Sequence, residues 1–253
     1  MLTVLTAGCG GSGTLALDPV ASAAGRTLDK QTGRFETRFD VGPIELTATG
    51  TFSEPDHAIE LKTNTHVGGD AGPLELRMLY PVVYVHVGAG LGRPTFLPAG
   101  KSWAKLDLRR PLDKLGASLP QLGMGGAQSP VDGLTWLRGS KHAKKLGTET
   151  IDGVPTTHYR VTVDVQDALA KATPNQREAL NRLLRFARKQ GVDPASTTSD
   201  VWIGDDGLVR RSTQSLGRLG SMTTTFSDFG TPVHIEAPPP DETVDVSGLL
   251  QSG

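Results

Sequence analysis

Residues 35–67 read FETRFDVGPIELTATGTFSEPDHAIELKTNTHV, with apolar or threonine side chains at alternate positions of three short runs. In the first run, Phe35 and Phe39 alternate with charged residues, and Gly42-Pro43 and Glu54-Pro55-Asp56 separate the runs. Period-two alternation predicts strands with one apolar face, and Gly, Pro and Asp clusters predict the turns between them. The stretch therefore predicts consecutive antiparallel strands that turn one face to water and must cover the other.

The same alternation continues further along the chain, in two series of strands. Asp152-Gly153 and Asp205-Asp206-Gly207 are typical of the tight turns that join such strands. The strands predicted after the opening stretch cover residues 74–78, 82–87, 103–108, 143–150, 155–165, 200–204, 207–215 and 221–229. Six strands in a row before residue 110 favour an antiparallel meander.

Helices are predicted before the first series of strands, between the two series and within the second, where they could cover the apolar face. Asp18-Pro19 is an N-cap followed by proline at the first helical position, which predicts a helix over Pro19 to Gln31. A short helix is expected within 112–122, and another is expected to start at Ser129-Pro130. A long amphipathic helix is predicted over 174–190, with Gly191 as its C-cap.

Composition narrows the class of protein. The chain has 253 residues with 31 Gly, 17 Pro and 5% aromatic residues, which favours one turn-rich β domain over a helical bundle. With 26 basic and 27 acidic residues, net charge gives no case for a nucleic-acid partner. The sequence lacks an apolar run of about 18 residues, and a single cysteine excludes intramolecular disulfides. We expect one domain over 18–246 and a tail over 247–253.

The first 14 residues, MLTVLTAGCGGSGT, place the only cysteine after a short apolar run and before small, flexible residues. This resembles a bacterial lipobox, in which the cysteine thiol is diacylated and the preceding peptide is removed. The resemblance implies a signal-peptide remnant over 1–9, a lipid anchor on Cys9 and a tether over 10–17. Thr6 stands where a lipobox prefers Leu, and no Lys or Arg precedes the run, so we expect a longer signal peptide upstream. The alternative is an incidental cysteine.

Three strand–turn–strand stretches carry a family resemblance: GTETIDGVPTTHY at 147–159, DVWIGDDGLVRR at 200–211 and TTFSDFGTPVHIEAP at 224–238. With the N-terminal cysteine and the order of elements, the chain resembles the actinobacterial LppX/LprAFG lipoproteins, relatives of the LolA/LolB carriers. The resemblance implies an α+β fold, a curved antiparallel β half-barrel whose concave face is covered by helices. It also implies lipid or glycolipid binding and transport at the extracytoplasmic face of the cell membrane, without a cofactor.

The resemblance implies three partners: a lipid or glycolipid ligand, the membrane through a diacylglyceryl anchor on Cys9, and an envelope protein. Inward parity on the strands and the apolar stripes of the helices supply the candidates for a ligand cavity. They are Phe35, Phe39, Leu46, Ile59, Leu61, Leu76, Met78, Val85, Val131, Leu134, Tyr159, Val161, Val163, Leu180, Leu183 and Leu184. The same residues also suit a solidly packed core, so a packed interaction or signalling module is the alternative.

No motif for catalysis or metal binding emerges from the sequence. None of the histidines has metal-ligand spacing, and no Gly-x-Ser-x-Gly elbow is present. Asp205-Asp206-Gly207 lacks the further oxygen ligands of a calcium loop and predicts a hairpin turn. The arginines of the 174–190 helix suit either anionic headgroups or a solvated helix face. We therefore expect a binding protein; an enzyme with an unrecognised site is the least supported alternative. The histidines are His57, His66, His86, His142, His158 and His234.

Overall fold

Within the residues that the structure describes, the fold consists of a twelve-stranded sheet and three α-helices. The computed structural model describes residues 18–41, 44–67, 70–88, 97–108, 130–189, 196–215 and 220–248. The strands are β1 Thr32–Val41, β2 Ile44–Ser53, β3 Ala58–Val67, β4 Asp70–Leu79, β5 Val82–Val87, β6 Trp103–Asp107, β7 Ser140–Ile151, β8 Val154–Asp164, β9 Ser196–Gly204, β10 Val209–Ser215, β11 Ser221–Ser227 and β12 Thr243–Asp245. The helices are α1 Pro19–Leu28, α2 Val165–Lys171 and α3 Pro174–Lys189, with 3₁₀ segments at Pro130–Gly139 and Pro240–Glu242.

The strands follow the order β12-β6-β5-β4-β3-β2-β1-β11-β10-β9-β8-β7, and the sheet is open and curved. Neighbouring strands are antiparallel except β12, which runs parallel to β6. The predicted α+β half-barrel is confirmed. The parallel pair is a departure from the antiparallel prediction. It arises because the chain after β11 returns to the far edge of the sheet, where Lys101 Nζ donates to the carbonyl of Asp241 at 2.6 Å.

Cross-strand register keeps the apolar residues of successive strands on one face, the inner face. Phe35 lies opposite Phe226 on one side and Gly50 on the other, and Leu61 lies opposite Leu76. Gly50 is required here, because a Cβ atom would approach the ring of Phe35 to 2.6 Å. The alternation in residues 35–67 therefore places its apolar residues on the inner face, as predicted.

Helix α1 packs on the inner face through Val20, Ala23 and Ala24, which are fully buried. Thr27 links it to the sheet: its hydroxyl donates to the Ala23 carbonyl and accepts from the backbone N–H of Val209 at 2.9 Å. The predicted start at Pro19 is confirmed. The helix ends at Leu28 instead of Gln31, because the chain must enter β1 at Thr32.

Asp18 fastens α1 to the sheet. Its carboxylate accepts from the backbone N–H groups of Val20 and Ala21 at 3.0 and 3.1 Å, and from the Ser140 hydroxyl and the Ala143 N–H of β7 at 2.8 and 3.1 Å. Replacing Asp18 by Ala should lower the free energy of unfolding by about 2 kcal/mol, since a cap and the partners of two β7 donors are lost together. Urea unfolding measures this loss. Asp18→Asn keeps an acceptor oxygen and should lose less; an equal loss would contradict the capping role.

The segment Pro130–Gly139 was predicted to begin a helix and forms a 3₁₀ helix. Its buried residues Val131, Leu134 and Leu137 recur at every third position and are at most 2% exposed. This spacing matches the three residues per turn of a 3₁₀ helix. Gly133 and Thr135 also weaken an α-helix. The three side chains join those of α1 in the main buried cluster.

Helix α2 corrects the strand predicted over 155–165, which ends at Asp164. The Asp164 carboxylate accepts from the N–H groups of Gln166 and Asp167 at 2.9 and 3.2 Å, so an N-cap replaces the last strand position. The predicted helix over 174–190 is confirmed and ends at Lys189. The helix expected within 112–122, Gly191 and Cys9 lie outside the described residues.

Both edges of the sheet carry features that discourage further strand pairing. Strand β12 has three residues. Strand β7 is long, but its register against β8 shifts twice, between Lys141 and Lys144 and between Lys145 and Gly147. Short length, irregular register and lysines are the usual protection of an open sheet edge.

Candidate functional site

One half of the inner face, from β1 through β11 to β8, is filled by α1 and the 3₁₀ segment. Five candidate residues lie in this packed half at 6% exposure or less, and Tyr159 packs half-buried against them. The five are Phe35, Val131, Leu134, Val161 and Val163. In this half the side chains form a close-packed core with Phe52 and Phe226.

The other part of the inner face lies on β2 to β5, beyond Phe52, and extends to Phe39 on β1. Val83 and Ala48 are buried there, but most of its larger apolar side chains are half-buried, and in the described part of the chain those chosen below join no packed cluster. We call this surface the open face and define it by Phe39, Leu46, Leu76, Met78 and Val85. The register forms two pairs on this surface, Leu46 opposite Phe39 and Leu76 opposite Val85, and the row of Ala48 and Thr63 lies between them.

Ile59 and Leu61 mark the border between the two halves. Both are half-buried and pack against the main buried cluster, and across the strands they lie opposite Met78 and Leu76 of the open face. On β3, the border therefore runs through these two residues.

The candidates on α3 lie in a separate buried cluster, apart from Val131 and Leu134 of the 3₁₀ segment. Leu180 and Leu184 of α3 are buried in a cluster with Val165 and Ala168 of α2, with Trp136 packed against it. The side chain of Leu183 lies outside the description. These leucines hold α3 against α2, beside the 3₁₀ segment.

Sequence reasoning missed Met222, which is half-buried and lies opposite Phe39 across the β1–β11 pair. No local signal in the sequence could have placed Met222 beside Phe39, because β1 and β11 lie far apart along the chain. Polar groups lie near it: buried Thr37 and half-buried Thr224 share a hydrogen bond of 3.1 Å on the inner face. Gln214, opposite Met222, is also buried. The open face thus has a polar margin on the side of β10 and β11.

The outer face of the sheet is polar and internally paired. Arg77 contacts Glu60 at 3.3 Å and Glu75 at 2.8 Å, and its guanidinium lies 4.8 Å from the ring centre of Trp103. It also donates to the Glu236 carbonyl at 3.1 Å, which ties the chain between β11 and β12 to this face. Because these charged groups of the outer face are paired with one another, the open face is the candidate site for an apolar ligand.

The histidine with the most polar contacts, His158, belongs to this outer surface. Its Nε2 lies 2.9 Å from Asp200, and its ring stacks on Trp202 at 4.2 Å. Asp206 of the predicted hairpin turn accepts from the Leu208 N–H at 3.1 Å and pairs with Arg210. Residues 18–248, in the parts described, contain no group of three His, Cys, Asp or Glu placed to hold a metal ion.

Lys141 forms ion pairs at the start of β7. Its ammonium group lies 3.1 Å from Asp164 and 2.8 Å from Asp167. The hydrogen bond from Lys141, together with backbone N–H donors, lowers the pKa of Asp164; hydrogen bonds to Asp167 and Asp164 raise the pKa of Lys141. The ammonium group and both carboxylates are exposed, so these ion pairs contribute little to the stability of the fold.

Replacing Lys141 by Gln should raise the pKa of Asp164 toward the ordinary carboxyl range, because its largest stabilising hydrogen bond is removed. A lowered folded-state pKa stabilises the fold above the unfolded pKa, and this contribution is lost as pH falls through the folded value. The variant should therefore show a weaker acid-side dependence, because the backbone N–H donors to Asp164 remain. Titration of the Asp164 carboxyl carbon by NMR measures the shift, and an unchanged midpoint would contradict the assignment.

Among the described residues, none of the helices is both long enough and apolar enough to cross a membrane. No protein-family model matches the chain. Comparison with known sequences finds an uncharacterised 31.2 kDa protein of Streptomyces griseus from the rplA–rplJ intergenic region, 31% identical over 191 residues. The match covers 74% of this chain and 60% of that protein, so the chain spans less than two thirds of its length. A second relative, provisionally named a lipoprotein in Streptomyces coelicolor, is 25% identical over 94% of this chain and 79% of its own.

Comparison with solved structures identifies the fold. LprF from Mycobacterium bovis superposes with a TM-score of 0.51 at 14% identity, over 87% of this chain and 95% of that chain. The lipoprotein LppX from Mycobacterium tuberculosis covers 87% of this chain and 100% of its own, with 19% identity and a TM-score of 0.48. The resemblance inferred from the sequence is confirmed for the fold.

Proposed function

We propose that this chain, which has the fold of LprF, is a membrane-anchored lipoprotein that binds a lipid or glycolipid on its open face and carries it across the cell envelope. The anchor would be a diacylglyceryl group on Cys9, and the domain would stand on the extracytoplasmic side of the membrane. Binding alone accounts for this function, and no covalent step is assigned to the chain.

The observation that carries the proposal is the contrast between the two halves of one inner face. In the packed half, side chains such as Val163 and Phe52 are fully buried, whereas Leu76 and Met78 on the same face stay half-buried. Several incompletely buried apolar side chains on one face of a sheet favour a binding site over a merely tolerated exposure. The open face supplies such a surface inside the curve of the sheet.

The chemistry of the open face favours flexible acyl chains. Four of its five residues are aliphatic or thioether side chains, and only Phe39 is aromatic. Each methylene removed from water contributes about 0.8 kcal/mol, so ten buried methylenes would contribute roughly 8 kcal/mol before the entropic costs of binding. The polar margin at Thr37 and Gln214 would select among headgroups.

The anchor is supported by sequence and by one relative. Cys9 stands in a lipobox-like context, and the Streptomyces coelicolor relative is provisionally named a lipoprotein. Two acyl chains hold a protein stably on a membrane, whereas one chain holds it only reversibly. A carrier held in this way could reach cargo without leaving its membrane.

Native mass spectrometry of the full chain carrying Cys9→Ser, purified without detergent, tests the cargo. We expect a mass excess that organic extraction resolves into acyl lipids. A bare polypeptide mass that stays unchanged after incubation with envelope lipids would contradict the carrier and favour a packed interaction module. Metabolic labelling of the wild-type chain with a fatty acid tests the anchor separately, with Cys9→Ser as its control.

A further inference from the structure

The point at which the chain enters the domain is fixed beside the first residues of β7. Asp18 is the first described residue, and its carboxylate holds Ser140 at 2.8 Å and the Ala143 N–H at 3.1 Å. Eight residues lie between Cys9 and Asp18, which makes nine steps along the chain, and at about 3.4 Å per step they can span at most roughly 30 Å. An anchor on Cys9 therefore keeps the start of β7 close to the membrane surface.

Lysines lie at this point of the sheet edge. Lys144 and Lys145 are exposed and stand opposite Arg160 and Tyr159 of β8, so they project toward opposite faces of the edge strand. Within the described ranges neither lysine forms an ion pair, in contrast to Lys141, which is bound by Asp164 and Asp167. Two cations thus remain available beside the entry point.

Helix α3 adds cations from a neighbouring element. Leu180 and Leu184 bury one side of α3 against Val165 and Ala168, the first turns of α2, and α2 begins where Lys141 of β7 binds its N-cap. The exposed residues of α3 include Arg185 and Arg188, next to and one turn beyond Leu184. Helix α3 thus places two further exposed cations on the layer that packs against α2.

The acidic residues near these cations have partners of their own. Asp164 and Asp167 are held by Lys141, Asp200 by Arg160 at 3.0 Å, and Glu149, near the far end of β7, accepts from the indole of Trp202. Glu178 on α3 also has a partner. Lys141 offsets only one of its two carboxylates, and Asp18 accepts only from neutral donors, so these acids reduce the charge of the four cations without cancelling it.

We infer that this basic end, formed by Lys144, Lys145, Arg185 and Arg188, docks onto anionic phospholipid headgroups of the membrane that carries the Cys9 anchor. The inference rests on the anchoring part of the proposed function and does not depend on the cargo. Anionic surfaces attract basic residues within a Debye length, and the tether keeps the basic end within reach of the surface. Docking would hold the domain in one orientation over the membrane.

Sedimentation with phospholipid vesicles tests the docking without the anchor. The full chain carrying Cys9→Ser should bind vesicles of phosphatidylglycerol mixed with phosphatidylcholine, and binding should fall as salt is added. Each basic residue near an anionic surface contributes about fivefold, so Lys144→Gln with Lys145→Gln should weaken binding about thirtyfold at low ionic strength. Arg185→Gln with Arg188→Gln should have a similar effect.

Arg38→Gln with Lys62→Gln is the matched control, because it removes two exposed cations from the outer face of β1 and β3. It should leave vesicle binding within about twofold of the parent. An equal loss in the control, or equal binding to phosphatidylcholine alone, would overturn the inference. If the Cys9→Ser parent does not bind anionic vesicles, the inference is also wrong, and the basic end would suit a protein partner instead.

Native mass spectrometry of the same variants separates this inference from the cargo proposal. The lipid load should be unchanged in the Lys144/Lys145 pair, because neither residue belongs to the open face. A chain that binds anionic vesicles yet carries no lipid would contradict the cargo and leave the docking intact. A chain that carries lipid but does not bind anionic vesicles would contradict the docking and leave the cargo proposal intact.

Discussion

Replacing Leu76 by Glu is expected to reduce the lipid that co-purifies with the chain by at least about tenfold. Leu76 lies in the middle of the open face, with Leu61 and Val85 opposite it on the two neighbouring strands. A carboxylate at this position must either stay hydrated, which excludes the acyl chain, or bind a proton at a cost in free energy. Native mass spectrometry of the variant, purified in the same way as the parent, measures the loss.

Thr49→Glu is the matched control for Leu76→Glu. Thr49 is exposed on the outer face of β2 and lies opposite Lys62, so the new carboxylate meets water and a cation. This variant should keep the lipid load of the parent. Both variants should unfold close to the parent temperature. A full lipid load in Leu76→Glu would show that cargo does not lie on the open face.

Replacing Phe52 by Ala is expected to lower the free energy of unfolding by about 3–5 kcal/mol. Phe52 is 0% exposed in the packed half, lies opposite Gly33 and Ile59, and belongs to the cluster that holds α1 and the 3₁₀ segment to the sheet. Truncation removes the buried ring and leaves a cavity that close packing can only partly fill. Urea unfolding of the purified chain measures the change.

Thr49→Ala on the same strand should cost about 1 kcal/mol or less, because its side chain is exposed and only strand propensity changes. The difference between the two variants isolates the contribution of the packed half. A small loss in Phe52→Ala, with a loose or expanded native state, would mean that this half is not a solid core. The division of the inner face into two halves would then be wrong.

The two large predictions describe two uses of one sheet. The packed half supplies stability, because the inward side chains of α1 and the 3₁₀ segment, such as Val20, Ala24 and Leu137, are fully buried there. Because that half holds the fold together, the strands of the open face can keep apolar side chains half-buried without losing the fold. Ile59 and Leu61, at the border, join the two.

Several features of the chain could be predicted from local sequence. Period-two alternation predicted most of the strands, since a side chain that points to water on one residue must point inward on the next. Asp18-Pro19 predicted the start of α1, because a cap and a fixed proline φ act within a few residues. The family resemblance predicted the open, curved sheet. The alternation and the cap depend only on residues that are neighbours along the chain.

Other features depended on contacts between distant residues. The three-residue spacing at Val131, Leu134 and Leu137 favours the 3₁₀ form, and packing of these side chains on the sheet holds it. The parallel β12–β6 pair and the place of Met222 beside Phe39 join segments more than a hundred residues apart. The same alternation produced the fully buried Val163 and the half-buried Leu76. Parity fixes the face on which a side chain lies, whereas the elements packed above it decide whether that face becomes core or binding surface.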